Sequence, residues 1–199
     1  LLDNSPLKHL LEETIKIDEI KNNIDKGNLD AFAITAAGYS SKKSITFFQS
    51  NQDDIDWERF LRVGVKTEIE IDHLMASIAL PLIFPAVQIN NEYFGDGAMR
   101  QATPLSPAIR LGAEKLLIIT TDLKSHNNHL TDNQIYPSIG EEGGYMLDAL
   151  FTGGLLSDLE RLDRINQIIE NSGSNPIQTS TKKMKYLEYC VISPSKDIN

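Results

Sequence analysis

The sequence predicts an α/β domain with a mainly parallel sheet sandwiched between helices, and three observations carry that prediction. Apolar runs short enough to be strands, Leu29 to Ala37, Lys115 to Thr121 and Met184 to Ile192, alternate with segments of helical period. The first two of these runs are apolar almost throughout, as strands covered on both faces are, where a half-exposed strand would alternate. The 199 residues, 41% hydrophobic and 24% charged, suffice for one packed domain and lie far from the composition of a disordered chain.

The elements follow in order. Asn4 or Ser5 ahead of Pro6 places a cap before a proline at the first helical position, and Leu7, Leu10 and Leu11 then share a face. A second helix is predicted from about Asp18 to Lys26, with Gly27 as its stop. Leu29 to Ala37 is a buried strand; the turn Gly38-Tyr39-Ser40-Ser41 leads to Ser44 to Ser50, β-branched and aromatic, placed at the sheet edge. Thr67-Glu68-Ile69-Glu70 matches a capping box, and Ile71, Leu74, Met75 and Ile78 repeat behind it, which predicts a helix over roughly 68 to 80. Val87 to Ile89 and Tyr93-Phe94 flank Asn90-Asn91-Glu92 as a hairpin, followed by the tight turn Gly95-Asp96-Gly97. Ser106-Pro107 opens a helix that Gly112 ends, ahead of the strand at Lys115. Asp122 to Pro137 is polar and aperiodic, a long loop. From Ser138 to Asn171 a helix carries Leu155, Leu159, Leu162, Ile165 and Ile169 on one face, with Gly153-Gly154 as a break.

Composition excludes several classes. With 28 acidic against 19 basic side chains the net charge is −9, the wrong sign for a broad phosphate-backbone footprint, so no nucleic-acid partner is expected. Any membrane contact must therefore come from a local apolar or basic patch, for which the 122–137 loop is one candidate. The longest apolar stretch, Ile78 to Val87, is interrupted by Pro81 and Pro85 and is too short to span a bilayer. A lone cysteine, Cys190, can form no internal disulfide and reads as a small hydrophobe in an apolar strand. With no signal-like segment visible, that favours a reducing, cytoplasmic compartment. The opening Leu1-Leu2-Asp3 and the closing Val191-Ile192-Ser193-Pro194-Ser195 read as cuts in a longer chain.

Local chemistry concentrates in Tyr93-Phe94-Gly95-Asp96-Gly97-Ala98-Met99-Arg100. Glycines on both sides of a carboxylate let a backbone or substrate approach it closely, although Asp-Gly is also an ordinary turn dipeptide. A dinucleotide fingerprint is rejected, since Arg100 stands where a small residue is needed. Upstream, Met75 to Val87 reads as a helix stopped by Pro81 and a rigid apolar elbow closed by Pro85; downstream lies Thr103-Pro104-Leu105-Ser106-Pro107-Ala108-Ile109.

These three pieces, in this order and spacing, resemble the patatin-like phospholipases, the bacterial branch in particular. The matches are Ala76 to Pro85 and Asp96-Gly97-Ala98, with Leu1 to Leu7 and Asp158 to Ile169 also similar. The resemblance implies a lipid acyl hydrolase that cleaves carboxylic esters of phospholipids with a Ser-Asp dyad and no metal or other cofactor. Asp96 would be the general base, on a loop shaped by Gly97 and Ala98. It further implies that 1–199 is a single patatin-like domain fragment without the first strands, the nucleophile and the oxyanion loop. No Gly-x-Ser-x-Gly occurs in the sequence; Gly38-Tyr39-Ser40-Ser41-Lys42 lacks the second glycine, and Ser40 reads as a turn residue. The same residues leave open a non-catalytic lipid-binding scaffold and a lipid acyltransferase. Burial among Phe84, Phe94 and Met99 is expected to raise the carboxyl pKa of Asp96 toward useful basicity.

Other residues draw plainer expectations. His126 and His129 with Asp122 and Asp132 have metal-like composition but undiagnostic spacing, and read as solvated. His73 is placed on the polar face of its helix, and Trp57, Phe60 and Leu61 on one helical packing face. Gly140-Glu141-Glu142-Gly143-Gly144 has acids where a phosphate loop needs amides or Lys, which excludes nucleotide binding there.

Overall fold

The computed structural model describes residues 1–52, 57–120, 138–172 and 185–194, with backbone alone for 146–153. Two units are distinguished, Leu1–Ala102 with Ser106–Leu111, and Thr103–Leu105 with Gly112–Asn199. The loop at 122 to 137, with His126, His129, Asp122 and Asp132, lies outside the described residues.

The first unit holds helices α1 (Ser5–Thr14), α2 (Asp18–Asp25), α3 (Ile71–Ser77) and α4 (Ser106–Arg110). Its strands are β1 (Ala31–Gly38), β2 (Ser44–Ser50), β3 (Trp57–Arg59), β4 (Arg62–Lys66), β5 (Val87–Ile89) and β6 (Glu92–Asp96). They form one mixed sheet in the order β3-β4-β2-β1-β6-β5. The α/β class predicted by the sequence holds. Parallel pairing joins β2 to β4, while β1–β2, β3–β4, β5–β6 and β1–β6 are antiparallel. Hairpins thus carry more of this sheet than the expected parallel arrangement, because connections of a few residues reverse a chain but cannot carry a crossover.

Ser44 to Ser50 is not an edge strand. It lies between β4 and β1, and every residue of it except Gln49 is buried. Its aromatic side chains are covered on both faces: Phe47 packs edge-on against Phe94 at 5.3 Å, and Phe48 stacks on Trp57 at 5.3 Å. The core on the Phe47 side comprises Ile34, Ala36, Ile45, Phe47, Ile69, Ala76 and Phe94. Burying side chains of this size contributes about 1.5–3 kcal/mol each.

The α3 helix starts later than its capping box predicts. The cap is Glu70, whose N–H donates to Nδ1 of His73 at 2.9 Å, while the Thr67 N–H donates to the Phe48 carbonyl at 2.9 Å and prolongs the sheet. His73 consequently points inward. It is 4% exposed, with its ring 4.5 Å from that of Phe47, which corrects its placement on a polar face.

Trp57, Phe60 and Leu61 share no helical face. Trp57 is buried in β3 beneath Gly64, where any side chain would overlap its ring, and Phe60 and Leu61 form the β3–β4 turn. Three residues around a buried indole made a helical reading of the spacing natural; strand period carries Trp57 inward instead.

In the second unit β7 (Lys115–Ile119) pairs in parallel with β8 (Glu188–Ile192), and α5 (Ile139–Asn171) runs unbroken through Gly153-Gly154. Leu159 and Leu162 are buried on the predicted face. The Gly140 to Gly144 segment is the start of α5, where Ser138 and Glu141 form a reciprocal capping box, so its acids serve the helix terminus. Cys190, expected as a small hydrophobe in an apolar strand, does lie in a strand but is exposed, paired in register with Leu117 of a two-stranded sheet.

Candidate active site

Strand period and two turns place Asp96. The β5–β6 hairpin turns through Asn90, which holds φ +54, a left-handed conformation Asn adopts readily. Alternation along β6 then buries Phe94 in the core and exposes Tyr93, and Asp96, two residues on from Phe94, leaves the sheet opposite Ala36 of β1.

The chain turns at once into the 3-10 segment Gly97–Met99, and Asp96 caps it, with Oδ1 accepting the Ala98 N–H at 2.8 Å. Gly97 is required by close approach, because a Cβ there would overlap the backbone carbonyl of Thr35. Ala98 contributes a backbone donor, a role that its methyl group does not disturb.

A further bond joins the turn to the upstream elbow. The Asp96 N–H donates to the Ala79 carbonyl at 2.9 Å, so the segment Ala76 to Pro85 meets the Asp96 turn directly. Within the elbow Ala76 and Ala79 are buried, Phe84 is half-buried, and Leu82 projects at φ +67. Of the expected walls, Phe94 is buried on the sheet beside Asp96, while Met99 closes the 3-10 segment and is half-buried like Phe84.

The carboxyl of Asp96 is half-buried, and loss of solvent pushes its pKa above the usual carboxylate value, opposed by the Ala98 N–H. Among the described residues Oδ1 alone of the two carboxylate oxygens is hydrogen-bonded, which leaves Oδ2 to accept a proton. Such a group can act as a base whose orientation is fixed before any substrate arrives. Sequence reasoning missed Ala79, whose carbonyl accepts the Asp96 N–H, and Thr35, whose carbonyl takes the space a Cβ on Gly97 would need; both act through backbone and leave no side-chain signal.

Ser40 lies exposed in the β1–β2 turn, where Lys42 takes φ +56 and the Ser41 N–H donates to Glu92 at 2.6 Å. Among the described residues no three His, Cys, Asp or Glu side chains are grouped to hold a metal, and no helix is long and apolar enough to cross a membrane.

A family model described as patatin-like phospholipase matches residues 1–109, a span that includes α1, the elbow and the Asp96 turn. No curated protein and no solved structure matches the chain.

Proposed function

Because the chain belongs to the patatin-like phospholipase family, we propose that it is a serine-type lipid acyl hydrolase in which Asp96 is the general base. The proton on the serine Oγ passes to Asp96 Oδ2 as Oγ attacks the ester carbonyl, and returns to the departing alcohol. Asp96 then deprotonates water, which releases the fatty acid and restores the serine. Amide donors hold the tetrahedral oxyanion. The serine and those donors belong to motifs that do not occur among the 199 residues. A chain of these residues by itself is thus expected to be inert toward esters.

The observation that carries this reading is the asymmetry of the Asp96 carboxylate, with Oδ1 fixed by the Ala98 amide and Oδ2 bonded to no described residue. The test is Asp96→Asn in a chain that also carries a Gly-x-Ser-x-Gly elbow, after a thermal melt has established that the variant folds. Asn keeps the shape and the cap and removes the base. Turnover of a short-chain ester and of a phospholipid should fall by at least ~10²-fold with little change in lipid binding. Near-normal turnover on both would remove Asp96 from the mechanism and favour a turn role in a lipid-binding scaffold.

A further inference from the structure

The β3–β4 hairpin combines features that ester hydrolysis at Asp96 does not use. Its tip is Phe60-Leu61, with Phe60 91% and Leu61 51% exposed, although tight hairpin turns are ordinarily made by Gly, Asn or Asp. Arg59 and Arg62 flank the tip and lie directly opposite one another in the ladder, where like charges repel. A third guanidinium comes from α4: Arg110 sits over the Trp57 ring at 5.6 Å. Burial and the positive charges of Arg59 and Arg62 both lower its pKa, so the three cations share one region of the sheet edge. The neighbouring Glu58 is paired with Lys43 at 2.7 Å.

The tip is also held firmly. The Leu61 carbonyl accepts the Ser44 N–H at 2.8 Å, and Trp57 at the root of the hairpin is stacked on Phe48. A pair of large apolar side chains on an anchored backbone, with arginines at its base, matches the layered chemistry of a bilayer surface, in which phosphates overlie acyl chains. Guanidinium groups bind phosphate oxygens in bidentate fashion. In a protein of net charge −9 such a patch also fixes the approach, since most of the surface is repelled by anionic lipid.

We propose that the β3–β4 hairpin docks the protein on phospholipid surfaces, Phe60 and Leu61 entering the boundary of headgroups and acyl chains while Arg59 and Arg110 engage phosphates. The choice of a lipid partner rests on the hydrolase reading; the geometry of the patch does not.

The test is co-sedimentation with vesicles of phosphatidylcholine, with and without phosphatidylglycerol. The wild-type protein should bind both, more tightly with the anionic lipid, and should keep part of its binding in moderate salt. The variant Phe60→Ser/Leu61→Ser should lose binding to both vesicles. Arg59→Gln should weaken binding to the anionic vesicles about fivefold and flatten the salt dependence. Leu117→Ser, an exposed leucine of the second unit, should change nothing. Phe60→Trp supplies a readout that requires no loss of function: its emission should shift to the blue when vesicles are added.

Unchanged partitioning of the folded hairpin variants, or no emission shift, would overturn the proposal. So would full release by inorganic phosphate, which would make the arginines a plain anion site, or a concentration-dependent dimer abolished by the tip variant without vesicle binding. Turnover of a soluble short-chain ester by a chain that also carries a Gly-x-Ser-x-Gly elbow, set beside its vesicle binding, separates the two readings. Turnover without vesicle binding removes docking alone, whereas vesicle binding without turnover removes the hydrolase assignment alone.

Discussion

The Asp96 amide donates to the Ala79 carbonyl over 2.9 Å, joining residues seventeen positions apart in the two stretches of chain that carry the main sequence signals. The bond explains why helix α3 stops at Ser77, ahead of Pro81: the carbonyl of Ala79 is turned toward β6. The proline elbow therefore anchors the turn that presents the carboxylate. Gly97 lies close against the Thr35 carbonyl on β1, so backbone bounds the turn on both sides while the Asp96 side chain caps it.

That arrangement makes the two glycines beside Asp96 unequal. Gly97→Ala forces a methyl into the Thr35 carbonyl and is expected to cost about 1–3 kcal/mol, or several degrees in Tm. By displacing Asp96 it should also lower kcat by about 10²-fold. At Gly95 the obstacle is the phenol end of Tyr39, a 44% exposed side chain that can swing away, so Gly95→Ala should fold with a smaller loss. Thermal melts of the pair decide the matter, and equal losses would contradict the close approach at Thr35.

The same contrast explains how much of the molecule was legible in its sequence. The Asp96 turn, the Asn90 hairpin and the start of α1 were readable because each depends on local residue types, a carboxylate between glycines, Asn at a left-handed position or Pro at a helix start. His73 and Trp57 were misplaced because tertiary partners decide their direction: Phe47 and the Glu70 amide draw His73 inward, and Gly64 makes room for the indole. Sheet pairing was the least legible feature. Nothing in Ser44 to Ser50 announces that β4 and β1 will cover both its edges.

Asn166 is expected to be the critical polar residue of the second unit. Its side chain is buried, donating to the Leu187 carbonyl at 2.9 Å and accepting the Leu187 N–H at 3.1 Å, and so holds α5 to the segment leading into β8. Asn166→Ala leaves both backbone groups unpaired, at about 1–3 kcal/mol for each that water cannot reach. Urea melts should show that loss, with faster hydrogen exchange at the Leu187 amide. Unaltered stability would mean that solvent replaces the side chain.

His73 should make the fold sensitive to mild acid. Burial lowers its pKa, against the raising effects of Glu70 and Asp72, and its Nδ1 must stay unprotonated to accept the Glu70 N–H. A histidine with a depressed folded pKa contributes stability that is full above its unfolded value of about 6.5 and is lost as pH falls from there toward the folded pKa. Unfolding free energy from urea melts should therefore decline between pH 7 and pH 5. His73→Gln, which retains an acceptor for the Glu70 amide, should remove His73's share of that decline. The same slope in the variant would place the titrating group elsewhere.

Asp96 has the opposite sign of linkage, and activity reports it as well. Its folded pKa is raised by burial above an unfolded value of about 3.9, so its contribution to stability is fully present below that value and is lost as pH rises through the folded pKa. At neutral pH the carboxylate therefore carries a desolvation cost that an amide escapes. Asp96→Asn should melt close to wild type in acid, and the difference should turn in favour of the variant as pH rises through the folded pKa. For catalysis the ionised form is the active one. The acid limb of kcat/KM in a chain carrying the elbow should fall about tenfold per pH unit, with a midpoint raised from the ordinary aspartate value. The stability difference should level off over the same pH range in which the acid limb reaches its plateau, because one proton governs both. If the Tm difference does not vary with pH while the acid limb persists, another group is the base, and the half-buried carboxylate of Asp96 is there to cap its turn.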